Sequence, residues 1–523
     1  MSYRKVIMAA SIAAAISVGP MAGAEELADN QVLRLGVGVD DIRTIDPHFS
    51  VGVGEWPIFG AVYESLVRFP RGTMDAANLE PALATEWSAD DSGLVWTFNL
   101  REGVEWHHGY GTFTADDVVF SLERLRDADN PSPHAGLLSA VTDVEAVDEL
   151  TVRITTDVVV PNMPALLVNN NIGYILSRAA LDDGIDPTTH PIGTGPFLYD
   201  EYRPRESFNL AANPDYWGGE PQLERFVVQF MPDASTRELA LMAGEIHGID
   251  IPARQDALDR MRGAGMEVDL TSPANMFALY LNMSLEPIDD IQVREALYAG
   301  IDRAGLAAYF GQDVAYVENS ALPRGYVGHT EDVRVIEYDP ERARELLAEA
   351  GFEDGLTMSI AISNNNIYLP PMQVIQEMWR GIGVDLQMNV VDHPTFHRII
   401  RENANPVVIY GAFRYPLDGT VYLTQFYHSE SAIGQPGQVI NFSHFGHHGA
   451  SIDHLLEEAQ FEMDQDRQIE LWQEAQRMIA DEIAVVPLYT RSYALARSPK
   501  MDLGFDTLSR SNYEVTEKAR ILR

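Results

Sequence analysis

Cysteine is absent from the 523 residues, which removes disulfides, thiolate metal sites and cysteine nucleophiles together. It also removes the residue that would carry acyl chains in a lipid-anchored exported protein. Basic residues are scarce: 37 Lys+Arg stand against 78 Asp+Glu, a formal charge of −41. A surface of that sign repels phosphate backbones and anionic lipid, so no nucleic-acid partner is expected. Its simplest role is to keep the protein solvated. No apolar run approaches the roughly 20 residues that span a bilayer, so direct membrane insertion is not expected. Repeats of fixed period and low-complexity blocks are also missing, which argues against a structural or adhesive array.

The N-terminus reads as an export address. Arg4 and Lys5 precede an apolar run from Val6 to Val18, and Ala22-Gly23-Ala24 has the small-x-small form of a cleavage site. Residues 1–24 are therefore expected to be a signal peptide, with a mature chain starting at Glu25. Removing Arg4 and Lys5 leaves 35 basic against 78 acidic residues, or −43. A soluble exported protein without a lipid anchor is useful where an outer wall retains it, which points to the periplasm.

With 46% hydrophobic residues the chain can fill more than one core, because single cores stop growing at roughly 250–300 residues. Elements of both periods alternate, indicating an α/β architecture. Trp96, Phe98 and Leu100 alternate with polar neighbours after an Asp90–Gly93 turn, and Leu150, Val152 and Ile154 repeat the pattern, so both segments predict strands. Thr114 and Asp117 can cap a helix whose buried face is Val118, Leu122 and Leu125. Asp339-Pro340-Glu341 opens another helix that Gly351 ends, and a third is expected from about Asp466 to Glu482.

Motifs along the chain fall in a familiar order. They include Ile45-Asp46-Pro47, Val62-Tyr63-Glu64-Ser65-Leu66, Trp96-Thr97-Phe98-Asn99-Leu100-Arg101-Glu102-Gly103-Val104 and Thr114-Ala115-Asp116-Asp117-Val118. Further on come Pro191-Ile192-Gly193-Thr194-Gly195-Pro196-Phe197, Asn213-Pro214-Asp215-Tyr216-Trp217 and Val293-Arg294-Glu295-Ala296-Leu297. In this order the chain resembles the family 5 extracellular solute-binding proteins, which serve peptide, nickel and related ABC importers. The resemblance implies a two-lobed, hinged periplasmic binding protein fold of type II, in its large cluster with an extra subdomain in the first lobe. Lobe I would comprise 25–62, an extra subdomain at 63–188, 189–286 and 490–523, with lobe II at 287–489. The crossings are expected near Met283–Pro287 and Pro487–Arg491, making a hinge that closes on a ligand. The implied partners are a small-molecule ligand and the transmembrane subunits of an ABC permease. A monomer without a cofactor is expected.

Catalytic signatures are lacking. There is no G-x-S-x-G elbow, no phosphate loop and no H-E-x-x-H pair. No catalytic residue or metal ligand is assigned, and a non-enzymatic role is expected. His444, His447 and His448 cluster after His428, but their spacing matches no strong metal motif, and ordinary loop polarity explains them. His107-His108-Gly109 reads as a turn. The alternatives kept open are a nickel or metal-chelate receptor and, from another class, a secreted hydrolase.

Ligand contacts should be polar residues on loops that face the hinge. The first lobe offers Asp46, His48 and Ser50, and Asn169, Asn170 and Asn171. The second offers Asn364, Asn365 and Asn366, and the stretch with Arg414, Tyr415 and Asp418. In the peptide-binding branch of the family an acidic residue holds the ligand's ammonium at the position matched here by Arg414, and an Arg holds its carboxylate near Ser363–Asn366. Both charges are altered in this chain. Weak binding of simple dipeptides is therefore expected, with Arg414 available to an anionic group and the Asn runs to neutral polar atoms. The resemblance implies peptides as the first ligand class by family frequency, followed by saccharides or opine-like conjugates.

Overall fold

The computed structural model describes residues 26–523 except 53, 169, 170, 366, 510 and 511, with the backbone alone for 272–274. The expected signal peptide and the candidates Asn169, Asn170 and Asn366 lie outside the described residues.

Hydrophobic side chains gather into three cores. One joins early and late segments: Leu33, Leu35, Ile58 and Phe59 meet Phe208, Phe226, Val228, Leu495 and Val515. A second lies within 66–192 and holds Trp96, Phe98, Val118, Leu122, Val152 and Ile154. The third and largest runs mainly from Met276 to Tyr489 and is centred on Trp379, Trp472, Tyr280 and Tyr422. The fold is mixed α/β and two-lobed, as expected.

Local signals account for many element ends. The helix Ala115–Arg126 starts at a capping box in which the Thr114 N–H donates to Asp117 Oδ2 at 3.0 Å. It packs on the second core's four-stranded sheet, which includes Val95–Leu100 and Thr151–Thr156. Helix Pro340–Glu349 begins where Asp339 accepts the Arg342 N–H at 2.9 Å and stops before Gly351. The third helix runs Gln465–Asp481, one residue ahead of expectation at each end.

A nine-stranded sheet links the first and third cores. Strand Val32–Val37 runs parallel to Arg225–Phe230 on one side and Gly248–Ile251 on the other. Gly248–Ile251 pairs with the far end of Val485–Arg497, and that strand pairs along its length with Glu267–Leu281. These two long antiparallel strands join the sheet beside Gly248–Ile251 to the third core. Their pairing shifts register between Thr271 and Asn275, opposite Tyr493 and Arg491. Met276–Leu281, just ahead of the Met283–Pro287 segment named from sequence, are packed in the third core. The other expected segment, Pro487–Arg491, lies within the strand Val485–Arg497.

Three separated motifs meet at one buried carboxylate. Glu64 accepts hydrogen bonds from Tyr216 Oη at 2.8 Å, Trp217 Nε1 at 2.8 Å and Thr194 Oγ1 at 2.9 Å. Burial raises its pKa, and these bonds oppose the rise. Next to it, His107 donates from Nε2 to the Gly195 carbonyl at 2.9 Å and accepts the Gly193 N–H at Nδ1, 3.3 Å. The motif order noted in the sequence is thus a record of one interior junction between the first two cores.

Candidate functional site

The carboxyl ends of Val32–Val37 and Gly248–Ile251 open into a cavity of about 400 Å³, lined by Gly36 to Val39, Trp56, Asp250, Tyr493 and Tyr513 among others. Open α/β sheets present ligand sites at such strand ends. A second cavity of about 240 Å³ shares Asp250 and Tyr493 with it and adds Ala253, Asn275, Phe277, Ile367 and Arg491. The shared residues make one cleft at the point where the long strands pass between lobes. Its floor on the lobe II side comes from neighbouring strands, because Asn275 pairs with Arg491 and Met276 pairs with Ala412, just before Phe413 and Arg414. Tyr368 touches Phe277 edge-on with ring centroids 5.9 Å apart, which brings the loop after Ser363 to the same place.

Within lobe I, several sequence candidates are spent on internal structure. Asp46 is 2% exposed and pairs with Arg124 at 2.5 Å; its Oδ1 also accepts the His48 N–H. Arg124 Nη1 donates to His48 Nδ1 at 3.0 Å, and His48 Nε2 donates to the Tyr174 carbonyl at 3.0 Å. Burial pushes the His48 pKa down to about 4; the Asp46 charge works against this and the Arg124 charge with it. Ser50 is buried, and its carbonyl accepts from His134 Nε2 at 2.7 Å and Asn171 Nδ2 at 2.9 Å. Asp46, His48, Ser50 and Asn171 therefore tie one loop to the helix Ala115–Arg126 and its surroundings, and none of them lines the cleft cavities.

The lobe II candidates lie closer to the cleft. Asn364 is exposed, and Asn365 Oδ1 accepts the Ile367 N–H at 3.1 Å, holding the turn that carries Ile367 into the smaller cavity. Arg414 is turned back onto its own lobe: Nε donates to Gln425 Oε1 at 2.6 Å, Nη1 to the Phe413 carbonyl at 2.8 Å, and the guanidinium lies 5.4 Å from the Phe426 ring centroid. No carboxylate pairs with it among the described residues, and Asp418 instead caps helix Gly419–Tyr427 by accepting the Thr420 N–H at 2.9 Å. Two residues of this stretch reach the second core's unit. Tyr415 Oη donates to the Ala165 carbonyl at 2.6 Å, and Asn162 Nδ2 donates to Asp418 Oδ2 at 3.3 Å. Burial raises the Asp418 pKa.

The loop histidines serve local geometry. His444 Nε2 donates to Asn403 Oδ1 at 2.8 Å, His447 Nε2 donates to the Ser429 carbonyl at 3.0 Å, and His428 Nδ1 accepts the Glu430 N–H at 3.2 Å. Among the described residues no group of three or more His, Asp or Glu converges as a metal-ligand set.

Residues 78–433 match the family described as bacterial extracellular solute-binding proteins, family 5 Middle. The chain belongs to this family. Among solved structures, the binding protein MoaA of A. tumefaciens R10, in complex with mannopinic acid, is 37% identical, with 94% of this chain and all of that one covered and a TM-score of 0.75. Heme-binding protein A of Haemophilus influenzae is 28% identical over 82% of this chain and 81% of its own length. The dipeptide-binding protein of Escherichia coli is 26% identical over 87% of this chain and 88% of its own. These relatives are binding proteins, and the family 5 chain is the solute-binding component of an ABC importer. No helix among the described residues is long and apolar enough to cross a membrane.

Sequence reasoning missed the cleft-lining residues Asp250, Asn275 and Arg491. Each lies in or beside a strand that reads as core. The available signal was Arg491 itself, a cation within the otherwise uncharged run Val485–Ala496.

Proposed function

We propose that this family 5 protein captures one small solute in the cleft lined by Gly36 to Val39, Asp250, Tyr493, Asn275 and Arg491, and hands it unaltered to its permease from the periplasm as a monomer. The observation that carries this reading is the sharing of Asp250 and Tyr493 by two cavities at the strand crossings. A cleft there has volumes within or near the usual range for small-ligand sites, roughly 300–1,000 Å³. Each lobe contributes walls, so binding favours closure about the strand irregularity at 271–275 and 491–493. The lobes are accordingly divided at these positions, with 63–188 as the extra subdomain of lobe I.

The ligand is proposed to be an opine-like conjugate in preference to a simple dipeptide. The relative in complex with mannopinic acid is 37% identical, against 26% for the dipeptide-binding protein, and the cleft holds a cation, Arg491. A panel of opine-like conjugates, dipeptides, sugars and nickel chelates in thermal-shift assays tests this. A stabilising solute should also compact the protein in X-ray scattering and be recovered unchanged. Turnover proportional to protein would contradict the transport reading.

A further inference from the structure

Arg491 combines three features that occur together nowhere else in the cleft. It lines the smaller cavity, it has no carboxylate partner among the described residues, and its Nε is shut off from solvent without a hydrogen-bond partner. One donor is engaged, Nη2 with the Ala253 carbonyl at a long 3.3 Å, and the guanidinium lies 4.8 Å from the Phe310 ring centroid. A half-buried guanidinium presents five donors in a planar fork, and a ring face with one carbonyl leaves most of them unanswered. Burial lowers its pKa, the direction expected of a cation without a counter-ion. Three other half-buried arginines are answered by carboxylates, Arg124 by Asp46, Arg71 by Glu514, and Arg497 by Glu267 and Asp269, and Arg414 is answered by Gln425 and the Phe413 carbonyl.

Resting on the cleft assignment above, we infer that Arg491, with the Asn275 side chain across the strand pair, is the seat of a carboxylate on the transported solute. The surroundings select the kind of anion. A single guanidinium matches one carboxylate by a two-bond fork. Asp250 lines the same cavity and pairs with Arg237 at 3.4 Å, and its negative charge disfavours a dianionic phosphate more than a monoanion. Asn275 supplies both a donor and an acceptor, so a hydroxyl or amine beside the carboxylate has a partner. Phe277 and Ile367 form apolar walls that strengthen the charge pairing by limiting water. The anion site that sequence reasoning placed at Arg414 thus moves to a strand residue.

The test uses the opine-like conjugates and dipeptides of the panel, each as free acid and as primary carboxamide, titrated by calorimetry against the mature protein. Free acids are expected to bind at least about tenfold more tightly than their amides. Arg491→Gln should weaken the best acid by about 100-fold and bring acid and amide close to equal, while Arg491→Lys, which keeps charge and loses the fork, should fall between. Asn275→Ala gives a second variant that leaves the cation in place, expected to lose affinity for acid and amide alike. Unchanged circular dichroism and melting temperature show that each variant is folded. Equal affinity for acid and amide in the unaltered protein, or an acid affinity that survives Arg491→Gln, overturns the inference and leaves solute capture standing. Failure of every panel solute to bind or to compact the protein overturns the cleft assignment itself.

Discussion

Asn275 lies directly across the strand pair from Arg491, and both line the cavity at the place where the chain passes between lobes. The register shift between Thr271 and Asn275 sits at the same point. An irregularity in a ladder bends and twists strands locally, so the residues proposed to meet the solute lie beside a natural place for the strands to bend.

The Asp46–Arg124 ion pair is buried, and its removal is expected to affect stability and not solute affinity. Asp46→Ala leaves the Arg124 side chain, 16% exposed, without its carboxylate. The expected loss is about 3–5 kcal/mol of unfolding free energy, read from urea denaturation. Calorimetry on the folded variant should show unchanged solute affinity, and a selective loss of affinity would return Asp46 to the site.

Acid should weaken the protein through its buried neutral histidines. His48 accepts at Nδ1 from Arg124 and donates at Nε2, so a second proton would face a guanidinium. Its folded pKa of about 4 lies below the ordinary value of 6.5. The unfolded chain then binds the proton first as pH falls. The His48 contribution is full above about pH 6.5 and is lost as pH drops towards 4, amounting to about 3 kcal/mol. His48→Gln is expected to be less stable near neutrality but to lose less stability over that window, as urea titrations at several pH values would show.

Gly193 cannot carry a side chain. A Cβ there would sit 1.9 Å from the Val62 carbonyl oxygen, a backbone atom that cannot rotate away. Gly193→Ala should cost at least about 3 kcal/mol, measured by thermal or urea unfolding. A variant of normal stability would mean that the junction at Glu64 and His107 is looser than described.

Tyr415 ties the stretch that carries Arg414 to the second core's unit through its 2.6 Å bond to the Ala165 carbonyl. Tyr415→Phe keeps the ring against Phe69 and removes this bond. The expected effect is a loss of about 0.5–1.5 kcal/mol of stability, read from urea denaturation.

Much of this architecture was legible because the deciding signals are local. Asp339, Pro340 and Gly351 mark both ends of one helix, and Trp96, Phe98 and Leu100 mark the buried face of one strand. The family motifs carried the two-lobed α/β fold. The site was less legible, since a polar loop residue has the same appearance whether it meets ligand or backbone. Asp46 and Arg124 are 78 positions apart, and no local pattern announces that they pair. Arg491 was hidden for the opposite reason: a strand of Val, Pro, Leu and Tyr reads as interior, and only the fold shows that its cation faces a cavity in place of a carboxylate.

The central claim is the location of the solute, and a crystal structure of the mature protein with a solute returned by the thermal-shift panel tests it most directly. The account expects that solute between Gly36 to Val39 and Asp250 on one side and Asn275 and Arg491 on the other, with a carboxylate on the Arg491 fork. A solute seated instead in the separate cavity of about 460 Å³ between Trp96 and Trp472, with the Arg491 cavity holding only water, would contradict it.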